Sequence, residues 1–167
     1  MNISVPLENC YLPDEFGKYS DAALRRCGNC VTSFPVSIEG VPAEAETLAL
    51  AFIDYDSTPV CGFTWIHWIA CNIDPSVSEI PKNASKAGFR FTQGSNSCVS
   101  RADETDADVI AGYIGPCPPD KDHTYTLTVY ALDCSLDLSE GFFANELHWA
   151  MKDHVIAQSS IDILSRA

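Results

Sequence analysis

Ten consecutive residues, HTYTLTVYAL from His123 to Leu132, leave this chain little choice of fold. β-Branched and aromatic side chains dominate the run, and they suit a pleated, extended backbone better than a helix. Two further runs behave alike: TLALAFI, from Thr47 to Ile53, and FTWIHWIACNI, from Phe63 to Ile73. The first is continuously apolar and short enough for a buried strand. Shorter strands are expected at Val36–Ile38, closed by Gly40-Val41-Pro42, and at Val155–Leu164. A short helix is expected near Ser20–Arg26. One amphipathic helix is expected over Leu138–Lys152, with Ser139 as N-cap and Phe143, Leu147, Ala150, Met151 and His154 at helical spacing. Lys82–Cys98 reads as loop, Arg101–Ile110 as an acidic surface segment, and Gly112–Asp122 (GYIGPCPPDKD) as a rigid Pro/Gly loop. Strands in succession with one late helix are not alternating βαβ units. They predict a mainly β, antiparallel chain with peripheral helices.

A length of 167 residues favours one domain over residues 1–167, with residues 1–28 an irregular N-terminal segment. Hydrophobic residues at 46% and charged residues at 20% exclude a disordered chain. No apolar run approaches the roughly 18 residues needed to cross a bilayer. No signal-peptide pattern opens the sequence, so a cytoplasmic location is expected. The formal net charge of −13 disfavours nucleic acid and anionic membranes as partners. It leaves room for a small anion held by local donors. Eight cysteines are expected to be reduced thiols in that compartment. Cys27 and Cys30 have C-x-x-C spacing, but the second pair that zinc needs and the βαβ setting of a thioredoxin-like motif are both missing.

The run FTWIHWIACNI raises the first functional question, because it places His67 between Trp65 and Trp68. Alternation along a strand predicts Phe63, Trp65, His67, Ile69 and Cys71 on one face and Ile66, Trp68 and Ala70 on the other. By the same rule His123 and Tyr125 share a face with Leu127 and Val129. Asp54 and Asp56 follow the TLALAFI run in the turn DYDSTP. Each residue has a plain structural explanation. A strand histidine is commonly a polar group with a satisfied partner, aspartates before a loop commonly cap a turn, and Tyr125 suits a core. Their gathering at strand ends beside Pro/Gly loops predicts instead one shared pocket. Asp54, His67 and a hydroxyl are also parts of a hydrolase set. Yet no G-x-S-x-G elbow is present, and Ser57 and Ser97 have no distinguishing context.

The segments Asp54-Tyr55-Asp56 … Gly62-Phe63-Thr64-Trp65-Ile66-His67-Trp68 and Gly112-Tyr113-Ile114-Gly115-Pro116-Cys117-Pro118-Pro119-Asp120-Lys121-Asp122-His123-Thr124-Tyr125 resemble the phosphatidylethanolamine-binding protein family. More narrowly they resemble its bacterial Raf-kinase-inhibitor-like branch. The segment from Asp137 through Phe142 to His154 is similar to that branch's C-terminal pattern, and the resemblance runs from about Asn29 to the end. It implies a Greek-key antiparallel β-sandwich whose pocket, near one end of the sheets, accepts a phosphate or phosphoryl head group. By position, it implies Asp54 and Asp56 as the paired aspartates, Trp65 and His67 as a Trp-x-His pair, and His123 and Tyr125 as a His-x-Tyr pair. Gly115, Pro116, Pro118 and Pro119 would form the wall. In those roles His67 and Tyr125 donate to a phosphate oxygen, while Trp65 and the prolines exclude water. Asp54 orients a histidine or accepts from an ammonium group. A carboxylate beside a phosphate repels it, so Asp54 is expected to be paired or partly protonated.

Several positions depart from the family pattern. Tyr55 stands where proline is usual between the aspartates, and Ser57-Thr58-Pro59 where alanine-proline is usual. Thr124 stands where arginine is common, and Asp153 where a glycine usually ends the helix. The expectation is therefore a non-enzymatic protein that binds phosphate or a phosphorylated head group and needs no cofactor. A protein partner and a homodimer are further expectations. The alternatives are a hydrolase using Asp54 and His67, and a thiol or metal protein using Cys27 and Cys30.

Overall fold

The computed structural model describes residues 1–101 and 106–167. The long runs become β5 (Thr47–Asp54), β6 (Trp65–Ile73), β9 (His123–Leu132) and β10 (Val155–Ser165). Shorter strands are β1 (Asn2–Ser4), β2 (Arg25–Arg26), β3 (Asn29–Cys30), β4 (Val36–Glu39), β7 (Glu79–Ile80) and β8 (Thr92–Gln93). The helices α1 (Thr58–Cys61), α2 (Ala107–Ile110) and α3 (Ala144–Ala150) all lie in connections. A five-stranded sheet has the order β10-β9-β5-β6-β8, and a three-stranded sheet the order β1-β4-β7. Every pairing within them is antiparallel. β9 returns to pair with β5 on the side away from β6, a long-range closure that puts the start of β9 beside the end of β5.

The core explains why the sequence folds this way. Phe34, Val36, Ile38 and Ile80 from the small-sheet side meet Leu48, Leu50, Phe52, Trp68, Leu127 and Val129 from the large sheet. Along β9, Tyr125, Leu127, Val129 and Ala131 are buried while the threonines between them stay half-buried, the period of a strand with one covered face. The opposite face of the large sheet packs Ala49, Ile69 and Cys71 beneath Phe142, Leu147 and Met151 around α3.

Strict alternation fails in β6. Phe52 lies opposite Trp68 but Ile53 lies opposite Ile66, so His67 is the extra residue of a β-bulge. His67 therefore turns to the same side as Trp68, against Phe52 and Tyr125, and not with Ile69 and Cys71. The strand also begins at Trp65 rather than Phe63, which is exposed and stacks on the Trp65 ring at 5.5 Å.

Other expectations need correction. The helix over Leu138–Lys152 is shorter, Ala144–Ala150, and starts after Phe143 rather than at Ser139. The Phe143 N–H donates to the Glu146 carboxylate at 2.7 Å and so closes the first turn. Phe143 and His154 point outward, and Phe142 takes the buried place expected for Phe143. Near Ser20–Arg26 there is a 3-10 turn, Ala22–Leu24, rather than an α-helix. The loop read at Lys82–Cys98 contributes β8, which pairs with β6. The irregular segment 1–28 contributes β1, because Ile3 packs on the core while its backbone pairs with β4. In the acidic segment Arg101–Ile110, α2 buries Val109; residues 102–105 lie outside the described residues.

Candidate functional site

A cavity of about 250 Å³ opens where the end of β5, the start of β6 and the start of β9 come together. Asp54 ends β5, and its carboxylate lies 2.8 Å from Nδ1 of His123, the first residue of β9. The register that pairs Asp54 with Tyr125 and with Trp65 places both motifs around this one residue. Asp54 and His123 are 3% and 1% exposed, so the pair is shielded from water. On the other side of the ring, Nε2 of His123 lies 3.0 Å from the Asp120 carboxylate. Burial alone lowers the His123 pKa. The hydrogen bonds and charges of Asp54 and Asp120 outweigh it, and the net shift is upward.

His67 behaves oppositely. Its Nδ1 lies 2.9 Å from the Ile114 carbonyl, and the Ile114 N–H returns to the His67 carbonyl at 2.9 Å. A carbonyl only accepts, so Nδ1 carries the proton. Burial lowers the His67 pKa to about 4, against the weaker upward pull of the Ile114 carbonyl and Asp54. The Tyr125 ring meets that of His67 edge to face at 5.0 Å. Burial and the Asp54 charge both raise the Tyr125 pKa, keeping its hydroxyl protonated.

Of the residues expected at the site, Asp54, Trp65, His67, Gly115, Pro118, Pro119, His123 and Tyr125 all line this cavity. Asp56 and Pro116 do not. Asp56 accepts the Thr124 N–H at 3.0 Å, which pins the start of β9 to the turn after β5. Pro116 is buried, with its carbonyl turned over Gly17. Cys27 and Cys30 form no disulfide, and their thiols reach different partners. The Cys27 thiol reaches Asp106 at 3.6 Å, whereas the buried Cys30 thiol donates to the Glu15 carbonyl at 3.4 Å.

Sequence reasoning missed several wall residues. Ser57 is a hub: its hydroxyl lies 2.7 Å from the Asp54 carbonyl and 3.0 Å from the Phe63 carbonyl, and accepts the Trp65 N–H at 2.8 Å. Its position three residues after Asp54 was the available signal, because Asp and Ser at that spacing close turns on each other. The Ser57 N–H does donate to Asp54 at 3.1 Å. Arg101 supplies the cationic side chain of the wall, 5.3 Å above the Trp65 ring and 3.3 Å from the Asn29 side-chain oxygen. Nothing local to Arg101 announced it. Cys61, Cys98 and Cys117 also line the cavity.

For metals, one trio among the described residues has ligand atoms within 4.8 Å of one another: Asp133, Cys134 and His154. It lies at the far end of β9 from the cavity, and its histidine already bonds Asp133 at 2.8 Å.

The family model described as phosphatidylethanolamine-binding protein matches residues 3–166. A Bacillus subtilis protein described as uncharacterized protein YxkA is 51% identical over 168 residues, covering 99% of each chain. A UPF0098 protein of Methanothermobacter thermautotrophicus is 36% identical over 127 residues, 76% of this chain and 78% of that one. The crystal structure of the putative phosphatidylethanolamine-binding protein homologue CT736 from Chlamydia trachomatis has a TM-score of 0.78 at 29% identity, covering 99% of this chain and 97% of that one. The Escherichia coli YbcL structure has the same TM-score of 0.78 at 22% identity, covering 99% and 98% of the two chains, a likeness of fold. Among the described residues no helix is long and apolar enough to cross a membrane.

Proposed function

The chain belongs to the phosphatidylethanolamine-binding protein family, and from that premise we propose that its cavity holds a phosphoryl anion without changing it chemically. The observation that carries this reading is the convergence of Asp54, His67, His123, Tyr125 and Arg101 on one cavity of about 250 Å³, a volume suited to a small anionic group. Arg101 supplies a guanidinium fork for phosphate oxygens, and Trp65 with Pro118 and Pro119 supplies apolar walls. The Asp54 carboxylate, which would repel an anion, faces the ring of His123.

A binding role fits the hydrogen bonds better than a hydrolytic one. The Ser57 hydroxyl is occupied by backbone groups, and both nitrogens of His123 face carboxylates. Neither forms the nucleophile–base pair that acyl transfer needs. Tyr55, Val60 and Phe63 are exposed along the segment beside the cavity. That apolar rim favours a protein partner closing over the bound anion as a compatible second role. The proposal keeps the cytoplasmic setting expected from the sequence.

Titration calorimetry tests it with inorganic phosphate, phosphoethanolamine and a phosphopeptide. Heat with at least one anion, weakened in Arg101→Gln, is expected. No heat with any of the three would remove the anion reading.

A further inference from the structure

Within that anion reading, the hydrogen-bond roles inside the cavity specify more than charge. The Ile114 carbonyl fixes the proton of neutral His67 on Nδ1, which leaves Nε2 as a lone pair. Nε2 has no hydrogen-bond partner among the described residues, and the ring lines the cavity. His67 can therefore accept from a ligand, but it cannot donate to one. His123 sits between two carboxylates that only accept, so its ring satisfies both as an imidazolium.

The charges around His67 can be followed element by element. Asp54 at the end of β5 is negative. While it holds its second proton between the two carboxylates, His123 at the start of β9 is positive, and Asp120 in the preceding loop is negative. Arg101, over Trp65, is positive. These four cancel. The Tyr125 hydroxyl and the thiols of Cys61, Cys98 and Cys117 complete the wall. A fully ionised phosphoryl dianion entering here meets an acceptor at His67 and a carboxylate at Asp54. A phosphoryl group that keeps one proton brings one charge fewer and a hydroxyl that donates to Nε2.

We propose that the cavity selects the singly protonated phosphoryl group of a phosphate monoester or of free phosphate, so that one proton enters with each anion. The proton comes with the ligand or from solvent and lies between the phosphoryl oxygen and Nε2 of His67. The buried ring does not carry that proton in advance, because its pKa is lowered to about 4. A phosphodiester such as an intact lipid head group has no such proton and is disfavoured.

The test is calorimetry between pH 5.5 and 8.5 in two buffers with different ionisation heats. The probes are inorganic phosphate, phosphoethanolamine, the diester glycerophosphoethanolamine, and sulfate, which carries no proton in this range. For the first two, uptake of about one proton per anion is expected at pH 8, with affinity falling about tenfold per pH unit above the anion's own second pKa, about 6 for the monoester and about one unit higher for inorganic phosphate. The diester and sulfate should bind at least about tenfold more weakly at pH 6.5, about 1.4 kcal/mol, without that pH dependence. In His67→Gln the amide gives a donor that does not titrate, so proton uptake should fall toward zero. The wild-type measurements decide the matter even if this variant does not fold. Phosphate binding with no proton uptake, or with affinity rising toward pH 8.5, would overturn the proposal while leaving the anion pocket standing. Silence from every probe at every pH would overturn both.

Discussion

The carboxylate of Asp54 lies 2.8 Å from Nδ1 of His123 at a point where both side chains are withdrawn from water. Removing the charge with Asp54→Asn is expected to lower the His123 pKa, which is now held above its usual value. It should also destabilise the fold by about 3 kcal/mol, because a buried ionic partner loses its counter-charge. The sign of the pH effect follows from the raised pKa. Such a histidine contributes stability below its unfolded pKa of about 6.5 and loses it as pH rises through the folded value. The deficit of Asp54→Asn should therefore be largest at pH 6 and shrink in alkali. Urea unfolding across pH, with NMR titration of the ring, measures both; a pH-independent deficit would contradict it.

His67 supplies the opposite slope. Its pKa is lowered to about 4 by burial. The unfolded chain binds this proton near pH 6.5 and the folded chain does not, so the stabilisation is complete above about 6.5 and is lost as pH falls toward 4. The loss is on the order of 3 kcal/mol across that window. In His67→Asn the amide can still donate to the Ile114 carbonyl but does not titrate. Its unfolding free energy should fall less steeply between pH 6.5 and 4 than that of the wild type. Parallel curves would rule out His67 as the acid-sensitive group.

Much of this site could be read from the sequence, for a physical reason. Asp54, His67 and His123 sit at the ends of runs whose apolar content fixes their extent, and antiparallel pairing then sets which ends meet. The alternation rule held in β9 because no bulge interrupts the residues that face the core. It failed at His67 because an inserted residue shifts the register, and the two-residue period carries no sign of that. The helix was overextended because Phe142 and Phe143 are adjacent and either suits the apolar position. Backbone closure by Glu146 decides between them. Arg101 was invisible because its place over Trp65 is set by long-range folding and not by any neighbour in the chain.

Arg101 should matter for affinity and hardly at all for stability. Arg101 is an exposed residue, and a cation over an aromatic ring near the surface contributes about 0.5–1 kcal/mol. Arg101→Gln is expected to weaken phosphate binding about threefold to tenfold, by analogy with other charge-assisted hydrogen bonds to one anion. The variant's affinity should also depend less on salt, since one screened charge is gone. Calorimetry at low and high ionic strength reads both effects. An unchanged affinity would place Arg101 outside the binding contacts.

Gly115 forms the wall of the cavity because no side chain fits behind it. A Cβ there would stand 2.6 Å from the Phe16 carbonyl and 2.8 Å from Cys30 Cβ, closer than such atoms approach. The Gly115 N–H also donates to the Cys30 carbonyl at 2.8 Å, so the loop cannot back away without giving up a buried hydrogen bond. Gly115→Ala is therefore expected to cost about 1–3 kcal/mol from overpacking. Relief by shifting the loop would carry Ile114 with it and disturb the carbonyl that holds Nδ1 of His67. The substitution should thus reduce phosphate affinity as well as stability, although it adds only a methyl group facing away from the ligand. Denaturant unfolding and calorimetry on the same preparation separate the two effects. Lost stability with intact affinity would show that the wall yields toward Phe16 and Cys30 and leaves the His67–Ile114 contact in place.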